Sequence, residues 1–122
     1  MMSKQKQKGT SFETAVKNYI IDVMDTDEEH IHREVLHGTQ DVGDITGLKI
    51  NGHKIVIECK NYGSSQPMPQ WLREAHAECL NASAVAGVVV SKRRGIGLKS
   101  MGEQLVSMTL EDFLKIISVG NM

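Results

Sequence analysis

Apolar positions recur with two different periods along this chain. Phe12, Ala15, Val16, Tyr19, Ile20 and Val23 fall at helical spacing and predict a first helix with one buried stripe, starting at Thr10 or Ser11. The acidic stretch 25–29 reads as a loop. Residues 30–36 alternate imperfectly around Ile31 and Val35 and predict a strand, followed by a loop of turn formers over 37–43. Residues 44–50 and 54–59 predict two strands around Asn51-Gly52, a two-residue hairpin signal. Both prolines lie in a loop over 61–69. Residues 70–81 read as a helix with Trp71, Leu72, Ala75, Cys79 and Leu80 on one side. The valine-rich run 84–91 has the unbroken apolar character of a strand buried on both faces. A basic, glycine-containing loop follows over 92–102, then a short edge strand over 105–108. Thr109 is placed to cap a last helix carrying Leu110, Phe113, Leu114 and Ile117. The second half, strand–helix–strand, favours a right-handed parallel crossover. This order predicts an α/β domain.

Composition narrows the class without naming it. The chain has 122 residues, enough for one domain with a modest core. Its hydrophobic fraction of 40% and charged fraction of 24% are ordinary for a soluble globular protein. A formal net charge of −1 does not mark a polyanion binder, but the charges are unevenly placed. Residues 1–9 read as a flexible arm carrying Lys4, Lys6 and Lys8, with a single domain over 10–122. Lys92, Arg93, Arg94 and Lys99 make a second basic cluster. Local patches of this kind steer polyanions, and the loop suits phosphate contacts. A solubilising charge run and a plain tail are the alternatives. Cys59 and Cys79 have neither the number nor the spacing of a disulfide framework or a zinc site, so reduced intracellular thiols are expected. No apolar signal core opens the sequence, and the mostly apolar run 82–90 is far too short to span a bilayer. The expectation is a cytoplasmic protein without membrane contact.

The chemistry concentrates in residues 44–60. Asp44 opens one strand of the hairpin, and the other ends in Glu58-Cys59-Lys60. An acid and a lysine two apart on a strand share one sheet face. Together with Gly9-x-x-Phe12-Glu13 and Gly43-Asp44-Ile45, this resembles the PD-(D/E)xK nuclease superfamily, with Holliday junction resolvases as the nearest branch. The resemblance spans roughly residues 8 to 95. One departure is Gly43, where the family usually has proline. The resemblance implies a restriction-endonuclease-like αβββαβ core, a mixed sheet flanked by helices. It also implies a Mg²⁺ site, with Mn²⁺ able to substitute, held by Asp44, Glu58 and the backbone carbonyl of Cys59. Lys60 would stabilise the attacking hydroxide or the transition state, and Glu13 would approach from the first helix. Phosphodiester hydrolysis suits such a set, because a hard cation prefers oxygen ligands and can activate water.

Strand geometry puts a condition on that site. A strict two-residue loop pairs Ile50 with His53. Counting back along straight strands then sets Asp44 against Cys59 and Glu58 against Ile45. Asp44 and Glu58 would point to opposite faces. A three-residue loop or a one-residue bulge between 45 and 54 is therefore required, with Gly47 a natural bulge position.

Each residue also has a plainer reading. Asp44 fits a turn acid, and Glu58 with Lys60 fits a salt-bridged strand end. Thr10-x-x-Glu13 is a capping box, which alone explains a glutamate there. Asp41 is a turn former or a supporting acid. Gln70 is an exposed helix-start residue or a water-orienting one. His30-x-His32 with His37 lacks a firm third zinc ligand. Trp71, Met101 and Met108 read as packing residues. The function expected is a structure-specific endonuclease acting on four-way junctions, working as a homodimer because two symmetric nicks need a twofold. The rivals are a general duplex or single-strand nuclease, a non-catalytic branched-DNA-binding protein, and a regulatory module with structural acids.

Overall fold

The computed structural model describes residues 4–34, 41–61 and 67–122, and for residues 4–8 the backbone alone. The side chains of Lys4, Lys6 and Lys8 lie outside the described residues, as do Val35, His37 and the loop segment 62–66.

Helix α1 (Lys4–Met24) begins well before Thr10. Thr10 is therefore an interior helix position and the capping box is not formed. Lys and Gln, which fill residues 4–8, are good helix formers and continue the helix outward. The buried stripe is also narrower than expected. Phe12 and Val16 are buried and Ile20 packs beside them, at i, i+4 spacing, whereas Tyr19 and Val23 are exposed.

The strands are β1 (His32–Arg33), β2 (Ile45–Thr46), β3 (Lys49–Ile50), β4 (His53–Lys60), β5 (Ala86–Ser91) and β6 (Leu105–Ser107). The predicted strand 44–50 is thus broken into β2 and β3. At the turn, Ile50 pairs with His53 and Lys49 with Lys54. Asn51 and Gly52 have φ of 48° and 80°, the double left-handed geometry of a type I′ hairpin turn. Further along, Ile45 pairs with Ile57. The register has slipped by one residue between these points, so Thr46 and Gly47 together oppose Val56. This is the bulge the site required. Gly47 has φ of 107°, and a Cβ there would lie 1.6 Å from the His30 carbonyl oxygen. No other residue fits without moving the backbone.

The sheet runs β1-β2-β4-β5-β6, with β3 paired to β4 alone. β4 and β5 are parallel, connected by α2 (Met68–Ala82), and the other pairs are antiparallel. The result is a mixed sheet flanked by helices. Every residue of β5 is buried, as its unbroken apolar run predicted. One core cluster joins Phe12 and Val16 of α1 to Ile31, Ile45, Ile57, Val88 and Val90. A second joins Trp71 and Ala75 of α2 to Val89. Met101 and Met108 pack against the first cluster. Gly87 allows α2 to approach closely: a Cβ there would sit 2.4 Å from the Ala75 carbonyl oxygen. Leu80, expected inside, is 66% exposed because α2 buries Trp71, Ala75, Glu78 and Cys79 instead.

Helix α3 (Leu110–Gly120) is capped by Thr109, whose hydroxyl accepts the Asp112 N–H at 3.1 Å. Buried Asp112 in turn accepts the Gly87 N–H at 3.0 Å. That choice of inward face leaves Leu110, Phe113, Leu114 and Ile117 outside, so these residues do not close the core. Asn51 at the hairpin tip donates to the Val119 carbonyl, which fixes α3 near the opposite end of β4 from Lys60. The basic loop includes a 3-10 segment over Leu98–Glu103. Among the described residues no helix is long and apolar enough to cross a membrane.

Candidate functional site

The C-terminal end of β4 carries Glu58, Cys59 and Lys60 next to the residue that precedes β2. The Asp44 N–H donates to the Ile57 carbonyl at 2.9 Å, so Asp44 lies against Ile57 beside the Ile45–Ile57 pair. By alternation from that pair the Asp44 and Glu58 side chains leave on the side opposite Ile45 and Ile57, where the two carboxylates interact. Gly43 makes the entry: its φ of 101° is closed to proline. The Asp44 Oδ2 accepts the Cys59 N–H at 2.7 Å, replacing the backbone partner that a longer β2 would have supplied. Ile55 and Ile57 present their amide and carbonyl groups to this side of β4, and alternation puts the Cys59 carbonyl there too.

The acids form a chain. Glu13 lies beside Asp44, Asp44 beside Glu58, and Glu58 beside Glu78 and Asp41. Burial and then the Glu58 charge raise the Asp44 pKa to about 7. Glu13 is raised as well, first by burial and then by Asp44, against the opposing pull of Arg33. Arg33 reaches Glu13 Oε2 through Nη2 at 2.9 Å and Nε at 3.2 Å. Glu13 is thus committed to an ion pair from β1 rather than to a helix cap. Burial, Glu58 and Asp41 together lift Glu78 far above the usual carboxylate range. The Cys59 thiol is pushed up by burial and by three nearby carboxylates, so it is neutral and offers no thiolate ligand.

Lys60 points back over the site. Its Nζ lies 2.8 Å from Glu74 and 3.5 Å from Glu58, and 5.8 Å from the centre of the Trp71 ring. The lysine and Glu58 share a face, as their spacing predicted. Gln70 is exposed and donates to Glu74 Oε1 at 3.2 Å, so it bears on Lys60 through Glu74. Asp41 does two things. Its Oδ1 accepts the Gly43 N–H at 2.9 Å as a turn former, and it belongs to the acid cluster.

A metal ion has oxygen donors to meet here. One carboxylate oxygen from each of Asp41, Glu58 and Glu78 lies within 4.8 Å of the other two. Oε2 of Glu58 and Oε2 of Glu78 are buried and meet no hydrogen-bond donor among the described residues. Unpaired buried carboxylate oxygens are costly, and an all-oxygen set suits a hard cation. The expected ligand set of Asp44, Glu58 and the Cys59 carbonyl shares only Glu58 with this cluster. Glu78 and Glu74 were not anticipated. Position 78 does fall on the Trp71–Ala75 stripe of α2, and an acid on an apolar stripe is the signal that marks it.

The basic loop leaves β5 at this same end of the sheet, since Lys60 pairs with Ser91 and the Lys92 N–H donates to the Lys60 carbonyl. Arg94 and Lys99 are exposed. Arg93 is anchored, donating through its side chain to the Glu103 carbonyl at 3.2 Å. Lys99 lies further off, beside Tyr19 and Asp22 of α1. His30 pairs with Asp27, and His32 lies beside Thr46 and Glu34; the two do not converge on one point among the described residues. Compared with protein-family models, curated proteins and solved structures, the chain gives no significant match to any of them.

Proposed function

We propose that this chain is a Mg²⁺-dependent endodeoxyribonuclease of PD-(D/E)xK type that nicks branched DNA, with the four-way junction as its first substrate. The observation that carries this reading is the Gly47 bulge, which turns Asp44 onto the face of Glu58 and Lys60. A hairpin of structural acids has no need of that slip.

Asp44, Glu58 and the Cys59 carbonyl would hold the ion, with Mn²⁺ accepted in place of Mg²⁺. The bound ion supplies polarisation of the scissile phosphate and activation of a water. The chain's own residues do the rest. Lys60, held by Glu58 and Glu74, brings positive charge to the strand end where negative charge develops in the transition state. The Cys59 amide fixes the orientation of the Asp44 carboxylate. Arg33 orients Glu13 at the edge of the site. Lys92 and Arg94, on the loop beside Lys60, contact backbone phosphates, with Arg93 and Lys99 further along the same loop; Lys4, Lys6 and Lys8, whose side chains lie outside the described residues, are further candidates for such contacts.

Symmetric nicking implies a twofold homodimer. The apolar outer face of α3 and the open edge of β6, with Leu105 and Val106 exposed, support one. Free thiols at Cys59 and Cys79 go with an intracellular setting.

Cleavage of a labelled four-way junction, run beside matched duplex and single strand in Mg²⁺ or EDTA, tests the reading. Paired symmetric nicks on the junction alone, abolished by EDTA and by Asp44→Asn, are expected. Metal-dependent cutting of all three substrates would retain the nuclease and retire the junction. Tight junction binding without cutting in any divalent metal would point to a non-catalytic binder instead.

A further inference from the structure

We propose that Asp41, Glu58 and Glu78 form a second divalent-cation site, taking a hard ion such as Mg²⁺ or Mn²⁺, beside the one assigned to Asp44, Glu58 and the Cys59 carbonyl. The two-ion count rests on the proposed function, which supplies the first ion; the second site rests on its own geometry.

Three elements converge on it. Asp41 comes from the loop before β2, Glu58 from β4 and Glu78 from α2, with their oxygens within 4.8 Å of one another. The loop is tied to the helix next to the site, because Asn81 Nδ2 donates to the Asp41 carbonyl at 2.9 Å. The Asp41 carboxylate is turned by its bond to the Gly43 N–H. The position of Asp41 is therefore set by contacts other than those it makes with the two glutamates.

Burial supplies the independent observation. Glu78 is 3% exposed and Glu58 7%, and each has an Oε2 with no donor among the described residues. The charges that act most strongly on Glu78 are Glu58 and Asp41, both acids. Lys60 neutralises the Glu58 side of the group but pairs most closely with Glu74. Buried carboxylates of one sign require a counter-charge or a proton. A divalent ion is the counter-charge that fits an all-oxygen set of three acids. Glu58 would then serve both ions, an arrangement that two-metal phosphodiester sites use.

A shared proton between Glu58 and Glu78 is the competing account, and metal stoichiometry separates the two. Mn²⁺ binding to the full chain, followed by calorimetry and by the spin resonance of free Mn²⁺, should give two ions per chain. Glu78→Gln keeps a hydrogen-bonding side chain and should bind one ion, with the lost site weakened at least tenfold. Asp41→Asn, an exposed change that leaves the core alone, should do the same. Asp44→Asn should bind one ion, and the Asp44→Asn, Glu78→Gln double variant none. Two ions in both Glu78→Gln and Asp41→Asn would overturn the second site. Two ions in Asp44→Asn, with one in Glu78→Gln, would uphold it and instead remove the first-ion assignment on which the nuclease reading depends.

Discussion

Asp44 accepts the Cys59 amide with one oxygen and lies between Glu13 and Glu58. An asparagine can keep the amide bond while losing the charge. Asp44→Asn should therefore fold normally, and its Mg²⁺-dependent cleavage should fall by about two to three orders of magnitude, as loss of a transition-state electrostatic group does. A variant that is inactive because it is unfolded would show in circular dichroism and would void the comparison with wild type. The raised acids also make a prediction for the metal-free protein. Asp44, raised to about 7, and Glu78, raised further, bind protons more tightly folded than unfolded. Their contribution is greatest below pH 4 and is lost as pH rises through 7 and beyond. In EDTA the melting temperature should be lower at pH 8 than at pH 5, and excess Mg²⁺ should close most of that gap. A metal-free melting temperature that climbs over this range would mean the acids are neutralised within the protein. Asp44, Glu58 and Lys60 were legible because they sit in one short local motif. Glu78 was not, because it meets Glu58 only through the β4–α2–β5 crossover.

At the scale of the element, the hairpin decides whether there is a site. Its turn was readable from Asn51-Gly52, and the need for a bulge followed from counting residues. What the sequence could not reveal is that the His30 carbonyl occupies the space beside Gly47. Gly47→Ala meets both that oxygen and an unfavourable φ, and should destabilise the protein by at least about 2–3 kcal/mol. It should also lower divalent-metal affinity, because the register of Asp44 depends on the bulge. Urea unfolding with and without Mg²⁺ measures both effects; wild-type stability in the variant would show that the bulge is not fixed by Gly47. The helices were less legible than the strands. Amphipathic spacing located α1, α2 and α3 but gave the wrong inner face for Tyr19, Leu80 and Phe113. Periodicity finds a stripe, whereas partners decide which part of it is covered. On α3 the partner is the Gly87 amide, which draws in Asp112 rather than the leucines.

Across the whole molecule, the two ends of β4 have different characters. The end at Lys60 gathers the acids and the basic loop; the end at His53 carries the turn and α3. Eight extended residues separate them by roughly 23 Å at about 3.3 Å per residue. Association through α3 would thus leave the acid sites at outer ends of a dimer, clear of the interface. DNA held at the Lys60 end should respond to salt through the loop. Arg94→Ala should weaken junction binding about equally for all sequences and reduce the slope of log affinity against log salt by about 1. An unchanged slope would place the phosphate contacts elsewhere, with the side chains of Lys4, Lys6 and Lys8 next to be tested.

The close seat of α2 on Gly87 has a consequence for ionic selectivity. At Gly87 the helix that carries Glu78 meets β5 through backbone, the Ala75 carbonyl lying where a Cβ would stand. A site whose walls cannot breathe judges ions by radius. Mg²⁺ binds at about 2.0–2.1 Å and tolerates such stiffness, whereas Ca²⁺ needs about 2.3–2.6 Å and more ligands. The smallest residue of β5 would thereby set the spacing of the proposed Asp41–Glu58–Glu78 site, and an added methyl at Gly87, by displacing α2, should shift that site toward the larger ion.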